Sequence, residues 1–182
     1  ENTCNETDEK HQKMEQSYMG IIKGICISKE RGTEKHEVAE AGFVKDWGIQ
    51  GDAHAGKWHR QVSLLSFEKI EEFRAKGADV AFGAFGENLI VEGFDLRNVP
   101  VDSEIRIGDA VRLKVTQIGK ECHSHCAIYQ RMGDCIMPRE GIFTRVLHGG
   151  VLTEGDEIVI EKAAGEADGG AYWCECGTFD NL

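Results

Sequence analysis

Between Tyr18 and Lys162 the hydrophobic positions recur in short runs bounded by glycines, a spacing that predicts strands more often than helices. Met19-Gly-Ile-Ile-Lys-Gly-Ile-Cys-Ile-Ser28 is rich in β-branched residues and reads as a first strand, with Cys26 in the core. Val38 to Val44 is a weaker strand, Gln61 to Ser66 a short one, and Gly83 to Gly93 a glycine-bounded one. Ser103 to Ile107 and Ala110 to Ile118 form a pair joined at Gly108-Asp109, in which Val111, Leu113 and Val115 alternate onto one buried face. Ile142 to Leu147 is a short apolar run, and Glu157 to Ile160 a last strand. The helical period is confined to the stretch after Ser66, where Phe67, Ile70 and Phe73 make an apolar stripe. Ser66 is placed to cap it, Glu68 lies in its first turn and Gly77 just past its end. Cys122 to Met132 is a second candidate helix closed by Gly133, which would set Cys122 and Cys126 on one face.

Many short strands, glycine turns and no βα alternation predict a mainly β domain, an antiparallel barrel or sandwich with one or two short helices. Residues 1–17 are polar and nearly free of aliphatics, so they cannot bury enough surface to offset the entropy of ordering. Beyond Lys162 the chain turns to Ala, Gly and acidic residues and ends in a second predicted tail, 163–182. One folded unit over 18–162 suits a chain of 182 residues.

Charge and cysteine count narrow the function. The net charge of −11, with Lys and Arg scattered rather than striped, argues against a nucleic-acid partner. No window approaches the eighteen or so apolar residues of a membrane span. The first residues carry no basic and apolar leader, so a cytoplasmic location and no membrane partner are expected. Seven cysteines is an odd number in a chain too large to need stapling, which favours thiol or metal chemistry over a disulfide framework.

That chemistry is concentrated in one stretch. Cys122, His123, His125, Cys126 and Cys135 fall within fourteen consecutive residues, near Lys120, Arg131 and Arg139. Thiolates are nucleophiles and soft-metal ligands, and adjacent cations lower a thiol's pKa. The five residues supply either a reactive thiolate, with Cys122 beside His123 more reactive than Cys26 and Cys126 its competitor, or the ligands of a structural zinc ion. Elsewhere, Asp52 and His54 lie in a glycine loop, where an Asx-turn and a ligand contact are equal expectations. Arg145 interrupts an apolar run, where a charge needs a carboxylate partner or a cavity. Trp173-Cys-Glu-Cys-Gly177 offers two soft ligands but no complete site.

Six stretches in this order carry a resemblance. They are Gly48-Ile-Gln-Gly-Asp-Ala-His54, Gln61-Val-Ser-Leu-Leu65, Gly83-Ala-Phe-Gly-Glu-Asn-Leu89, Ile107-Gly-Asp109, Thr116-Gln117 followed by Cys122, and Gly141-Ile-Phe-Thr-Arg-Val-Leu147. Together they resemble the MOSC family, found at the C-terminus of molybdenum-cofactor sulfurases and as free-standing bacterial proteins. The resemblance implies a β-barrel that handles the pyranopterin molybdenum cofactor or sulfur destined for it, with a molybdoenzyme or cofactor-biosynthesis protein as partner. It places the family's cysteine, as sulfur carrier or metal-facing thiolate, on Cys122. The cofactor-binding positions it implies are Asp52, His54, Asn88 and Arg145, with Lys120 where the family text Pro-Arg-x-Pro-Cys is replaced by Gly119-Lys-Glu-Cys122. Asn88 also suits a buried amide that satisfies loop backbone. Asp52, His54, Lys120, Cys122 and Arg145 are expected to converge on one cleft at a barrel mouth.

Overall fold

A computed structural model describes residues 19–121 and 127–162. Both predicted tails, and the residues from Cys122 to Cys126, lie outside the described residues. The strands are β1 (Met19–Ile27), β2 (His36–Glu37), β3 (Glu40–Val44), β4 (Gly48–Ile49), β5 (Val62–Ser66), β6 (Leu89–Glu92), β7 (Glu104–Ile107), β8 (Val111–Ile118), β9 (Ile142–His148), β10 (Gly150–Thr153) and β11 (Glu157–Lys162). The helices are α1 (Phe67–Ala75), α2 (Ala127–Met132) and α3 (Met137–Glu140).

Seven strands close into a barrel in the order β11-β7-β8-β9-β5-β6-β1, because β1 pairs back onto β11. Closure satisfies the edge groups that an open sheet would leave bare. β2 extends the outer edge of β1, and β10-β3-β4 form a smaller sheet. Of the barrel and the sandwich that the strand and turn signals left open, the barrel is therefore the observed fold, as the resemblance implied. One pair breaks the antiparallel expectation: β5 and β6 run parallel, with Leu64 opposite Leu89. A parallel pair needs a crossover connection, and α1 supplies it.

Two apolar layers explain why some strands alternate and others do not. β8 has one buried face, Val111, Leu113 and Val115, which fills the barrel interior with Ile22, Leu64, Leu89, Ile105, Ile142 and Val146. β5 is buried at every position, because Leu65 on its outer face packs under α1, α2 and α3 with Ile70, Phe73, Ile128, Met137 and Phe143. Sandwiched strands read as continuous apolar runs for this reason.

Several sequence expectations are corrected. Ser66 stands at the start of α1 but makes no side-chain cap; its hydroxyl donates to the Phe94 carbonyl at 3.3 Å instead. α3 escaped notice because four residues are too few for a period, although Pro138 at its first turn is a start signal. Gly83 to Gly93 is a strand only over β6. Gly83 and Gly86 both adopt φ of +84°, so the preceding residues turn.

Gly83 is held to glycine twice over. Besides its left-handed backbone, a Cβ there would lie 2.2 Å from the Lys35 carbonyl oxygen, and the Gly83 carbonyl accepts from the Lys35 N–H at 3.0 Å. Gly86 shares the φ but has open space around it. Gly86→Ala should cost about 1–2 kcal/mol for the left-handed alanine alone. Gly83→Ala should cost about 3 kcal/mol or more, since overpacking adds to the same strain. Urea unfolding of the two variants decides: equal losses would show that the approach to Lys35 does not dictate the glycine.

Candidate functional site

Two connections meet at one buried ion pair. Lys35 lies in the turn-rich segment between β1 and β2, and Asp52 in the loop after β4; their side chains are 1 % and 0 % exposed. The Lys35 ammonium donates to Asp52 Oδ1, reaches Ser28 Oγ at 3.5 Å and lies 3.1 Å from His54 Nδ1. Asp52 Oδ1 also accepts from the Ser28 N–H at 3.0 Å, and Oδ2 from the His54 N–H at 3.0 Å. The second of these is the Asx-turn expected of a Gly-Asp-x-His loop. Burial lowers the Lys35 pKa, and the Asp52 hydrogen bond and charge oppose it. His54 is also lowered, first by burial and then by Lys35.

Above this pair lies a cleft of about 110 Å³, lined by His54, Trp58, Arg60, Asn88, Lys120 and Phe143 among others. The Trp58 indole donates to the His54 carbonyl at 2.7 Å, which fixes the ring beside the imidazole. Arg60 packs its guanidinium 5.0 Å from the Trp58 ring centre and 5.6 Å from that of Phe143. Its Nε is buried and has no hydrogen-bond partner among the described residues. Lys120 is brought to the cleft by backbone bonds: its N–H donates to the Pro138 carbonyl at 3.1 Å, and that of Gly119 to Gly141 at 2.7 Å. Among the described residues no carboxylate lines the cleft. Donors and cations on aromatic walls suit a planar or tetrahedral anion.

Asn88 forms the floor. Its Oδ1 accepts from the Ser63 N–H and hydroxyl, each at 3.1 Å, and its Nδ2 donates to the Cys26 carbonyl at 2.9 Å. This is the backbone-satisfying amide expected from the sequence. Beside it Glu87 is buried and accepts from the N–H groups of Gly83 at 2.7 Å and Phe85 at 3.0 Å. Burial pushes its carboxyl up to about 7, although those N–H groups favour the charged form.

Of the residues singled out by sequence, His54, Asn88 and Lys120 meet in this cleft, and Asp52 lies beneath it as an anchor. Arg145 does not line it. That side chain is exposed and pairs with Asp46 at 2.6 Å, on a neighbouring groove of about 360 Å³ lined by Lys57, Trp58, His59 and Gln61. Its strand position explains this: Arg145 follows Phe143 on the outer face of β9, one pair further from the helices. Cys122, His123, His125 and Cys126 lie outside the described residues. Cys135 packs in the apolar layer with Ile136, Met137 and Phe143, and no metal-binding group of His, Cys, Asp or Glu occurs among the described residues. Cys26 is buried in β1, where burial raises its pKa, the inert setting expected of it. No helix among the described residues is long and apolar enough to cross a membrane.

Sequence reasoning missed Lys35, Trp58 and Arg60. Lys35 sits in a run of charges, Glu30-Arg-Gly-Thr-Glu-Lys-His-Glu37, where no pattern separates a buried lysine from solvated ones. Trp58 and Arg60 did have a signal, a tryptophan and an arginine between a glycine loop and a strand.

With this geometry the comparisons with known proteins agree. The MOSC domain model matches residues 51–159, and the chain belongs to that family, which is associated with molybdenum-cofactor-related proteins. The fold is similar to the YuaD protein of Bacillus subtilis, at 22 % identity over 77 % of this chain and 94 % of that one, with a TM-score of 0.66. It is similar also to YiiM of Geobacillus stearothermophilus, at 21 % identity over 79 % and 75 % of the two chains and a TM-score of 0.59. YiiM of Escherichia coli gives 20 % identity over 79 % and 70 %, with a TM-score of 0.55. At such identities these likenesses carry the fold alone. No curated protein sequence matches.

Glu87 generates a test of the loop that carries Asn88. Its folded pKa is raised, so its contribution to stability is full below the unfolded value near 4.5 and is lost as pH rises through about 7. Glu87→Gln removes this titration. The stability of the native chain minus that of the variant should therefore fall between about pH 4.5 and 8, by something on the order of 3 kcal/mol. A difference that grows with pH would mean that the loop requires the ionised carboxylate, and a flat one that the fold does not shift the Glu87 carboxyl.

Proposed function

We propose that this chain is a molybdenum-cofactor-related module whose cleft takes the anionic end of the pyranopterin and whose Cys122 faces the metal or carries sulfur. The observation that carries this reading is the buried Nε of Arg60, without a hydrogen-bond partner among the described residues and set between two aromatic rings beside His54 and Lys120. In a chain of net charge −11, a local cluster of cations without a lining carboxylate among the described residues is a place for an anion.

The donor set fits a phosphate, and the size of the cleft limits what else enters. At about 110 Å³ it is smaller than the pockets of about 300–1,000 Å³ that enclose whole small ligands. His54, Arg60 and Lys120 would hold the phosphoryl end, while the remainder of the ligand extends past Trp58 toward the groove of Lys57, His59 and Arg145. When bound, the cofactor supplies a molybdenum centre with sulfur ligands, to which a cysteine thiolate is a suitable soft neighbour.

Cys122 follows Lys120 by two residues in the sequence and precedes His123, and a cation close to a thiol favours the thiolate. As a sulfur carrier, the Cys122 thiolate attacks the outer sulfur of a donor persulfide. The donor's S–S bond breaks, the donor leaves as a thiolate, and Cys122 holds the sulfur as a persulfide. A molybdoenzyme or cofactor-biosynthesis protein in the cytoplasm, where thiols stay reduced, is the partner this chemistry requires.

The test uses the full chain produced in cells that make the cofactor and are fed molybdate. Molybdenum, fluorescent oxidised pterin and cyanide-labile sulfur are then measured on the purified protein. Cys122→Ser should fold and lose sulfur loading or cofactor retention. Arg60→Met and Lys120→Met should each weaken retention by about 10- to 100-fold, the worth of one charge-assisted hydrogen bond. Full loading of Cys122→Ser would remove Cys122 from the mechanism. Stoichiometric zinc with neither pterin nor labile sulfur would assign the 122–135 cluster to a structural metal instead.

A further inference from the structure

The hydrogen-bond inventory around Lys35 fixes the chemistry of a residue that lines the cleft. An ammonium has three protons and no acceptor. Lys35 has three acceptors within reach: Asp52 Oδ1, Ser28 Oγ at 3.5 Å and His54 Nδ1 at 3.1 Å. Ser28 spends its own hydroxyl proton on the Glu30 carbonyl at 3.1 Å, so its lone pairs are left to accept. The buried carboxylate of Asp52, on which Lys35, Ser28 and His54 all converge, favours the charged form of the lysine against the cost of its burial. His54 Nδ1 can then only accept, which sends the single imidazole proton to Nε2. The groups that bear on the ring are Lys35, Asp52, Arg31 and Lys120, and three of the four are cations that oppose a second proton. The ring is further held by Trp58, stacked at 6.4 Å between centroids.

We propose that Lys35 is a positioning residue that fixes His54 as the neutral Nε2–H tautomer, so that His54 serves the cleft as a hydrogen-bond donor to an anionic oxygen and not as a base. The donor set of the cleft is then complete in one sense: Arg60, Lys120 and His54 all offer N–H groups. The ligand chemistry it selects is an oxyanion with several unprotonated oxygens, a sulfate- or phosphate-like group. This inference shares the cleft with the cofactor reading but does not depend on which oxyanion-bearing molecule occupies it.

Long-range proton–nitrogen correlation spectra of the uniformly ¹⁵N-labelled full chain read the tautomer directly. The expected pattern for His54 is an unprotonated Nδ1 and a protonated Nε2 from pH 6 to 8. Lys35→Met should raise the titration midpoint of His54 and mix the two tautomers. Inorganic sulfate, which does not titrate in this range, is the binding probe. His54→Gln, which keeps an N–H donor near the Nε2 position, should bind sulfate within a few-fold of the native chain, and His54→Leu should bind about tenfold more weakly or worse. An Nδ1–H tautomer, a doubly protonated ring at neutral pH, or a Lys35→Met spectrum identical to the native one would overturn the positioning role. Should Lys35→Met fail to fold, the native tautomer decides alone. Glutamine no better than leucine would overturn the donor role, and a native chain that does not bind sulfate would overturn the oxyanion assignment. None of these readouts involves pterin or molybdenum, so failure here and failure of the cofactor reading are separable.

Discussion

The ion pair between Lys35 and Asp52 is the interaction on which the site depends. Taking both charges out of water costs several kcal/mol per ion, and the attraction between them recovers this only when their remaining hydrogen-bonding capacity is met. Here it is met by backbone and side chains from two connections, Ser28 after β1 and His54 in the loop after β4, while the Gly83 turn holds the Lys35 backbone. One buried pair thereby ties together segments far apart in sequence, and the cleft is built on top of it. Removing either partner would leave an uncompensated charge under the cleft floor.

The barrel makes this possible by fixing the ends of those connections. β5 is buried on both faces, so Gln61 and Ser63 at its start are held tightly enough to anchor loops: Gln61 bonds the Gly56 carbonyl and the Val146 N–H, and Ser63 bonds Asn88. The parallel β5–β6 pair brings the 83–88 turn beside the 50–60 loop. Between them Glu87, a buried carboxyl, caps the turn that presents Asn88. Rigid strands thus place donors that sit on irregular backbone, the usual division of labour between scaffold and site.

What could be read in the sequence follows from what each signal measures. Alternation at Val111, Leu113 and Val115 reports a half-buried face and located β8 correctly, and the stripe of Phe67, Ile70 and Phe73 located α1. Gly83 to Gly93 misled because apolar residues beside glycines look like strand, whereas the positive φ of Gly83 and Gly86 makes a turn. Closure of the barrel and the parallel pair depend on contacts between distant strands, which no local pattern carries. In the site, His54, Asn88 and Lys120 were found through motif positions. Arg145 was drawn to the cleft by its motif, yet the two-residue period of β9 aims it at Asp46. Lys35 was invisible, since a buried lysine in a charged run differs from its neighbours only in the carboxylate it meets after folding.

Lys35 and Asp52 act as one unit. A double-mutant cycle on unfolding free energy, with Lys35→Met, Asp52→Asn and the double variant, measures this most directly. If the pair is the anchor, each single change should cost about 3–5 kcal/mol and the double change well under their sum, a coupling of about 2 kcal/mol or more. Strictly additive losses would show that the two residues stabilise the protein independently and that the cleft has some other foundation.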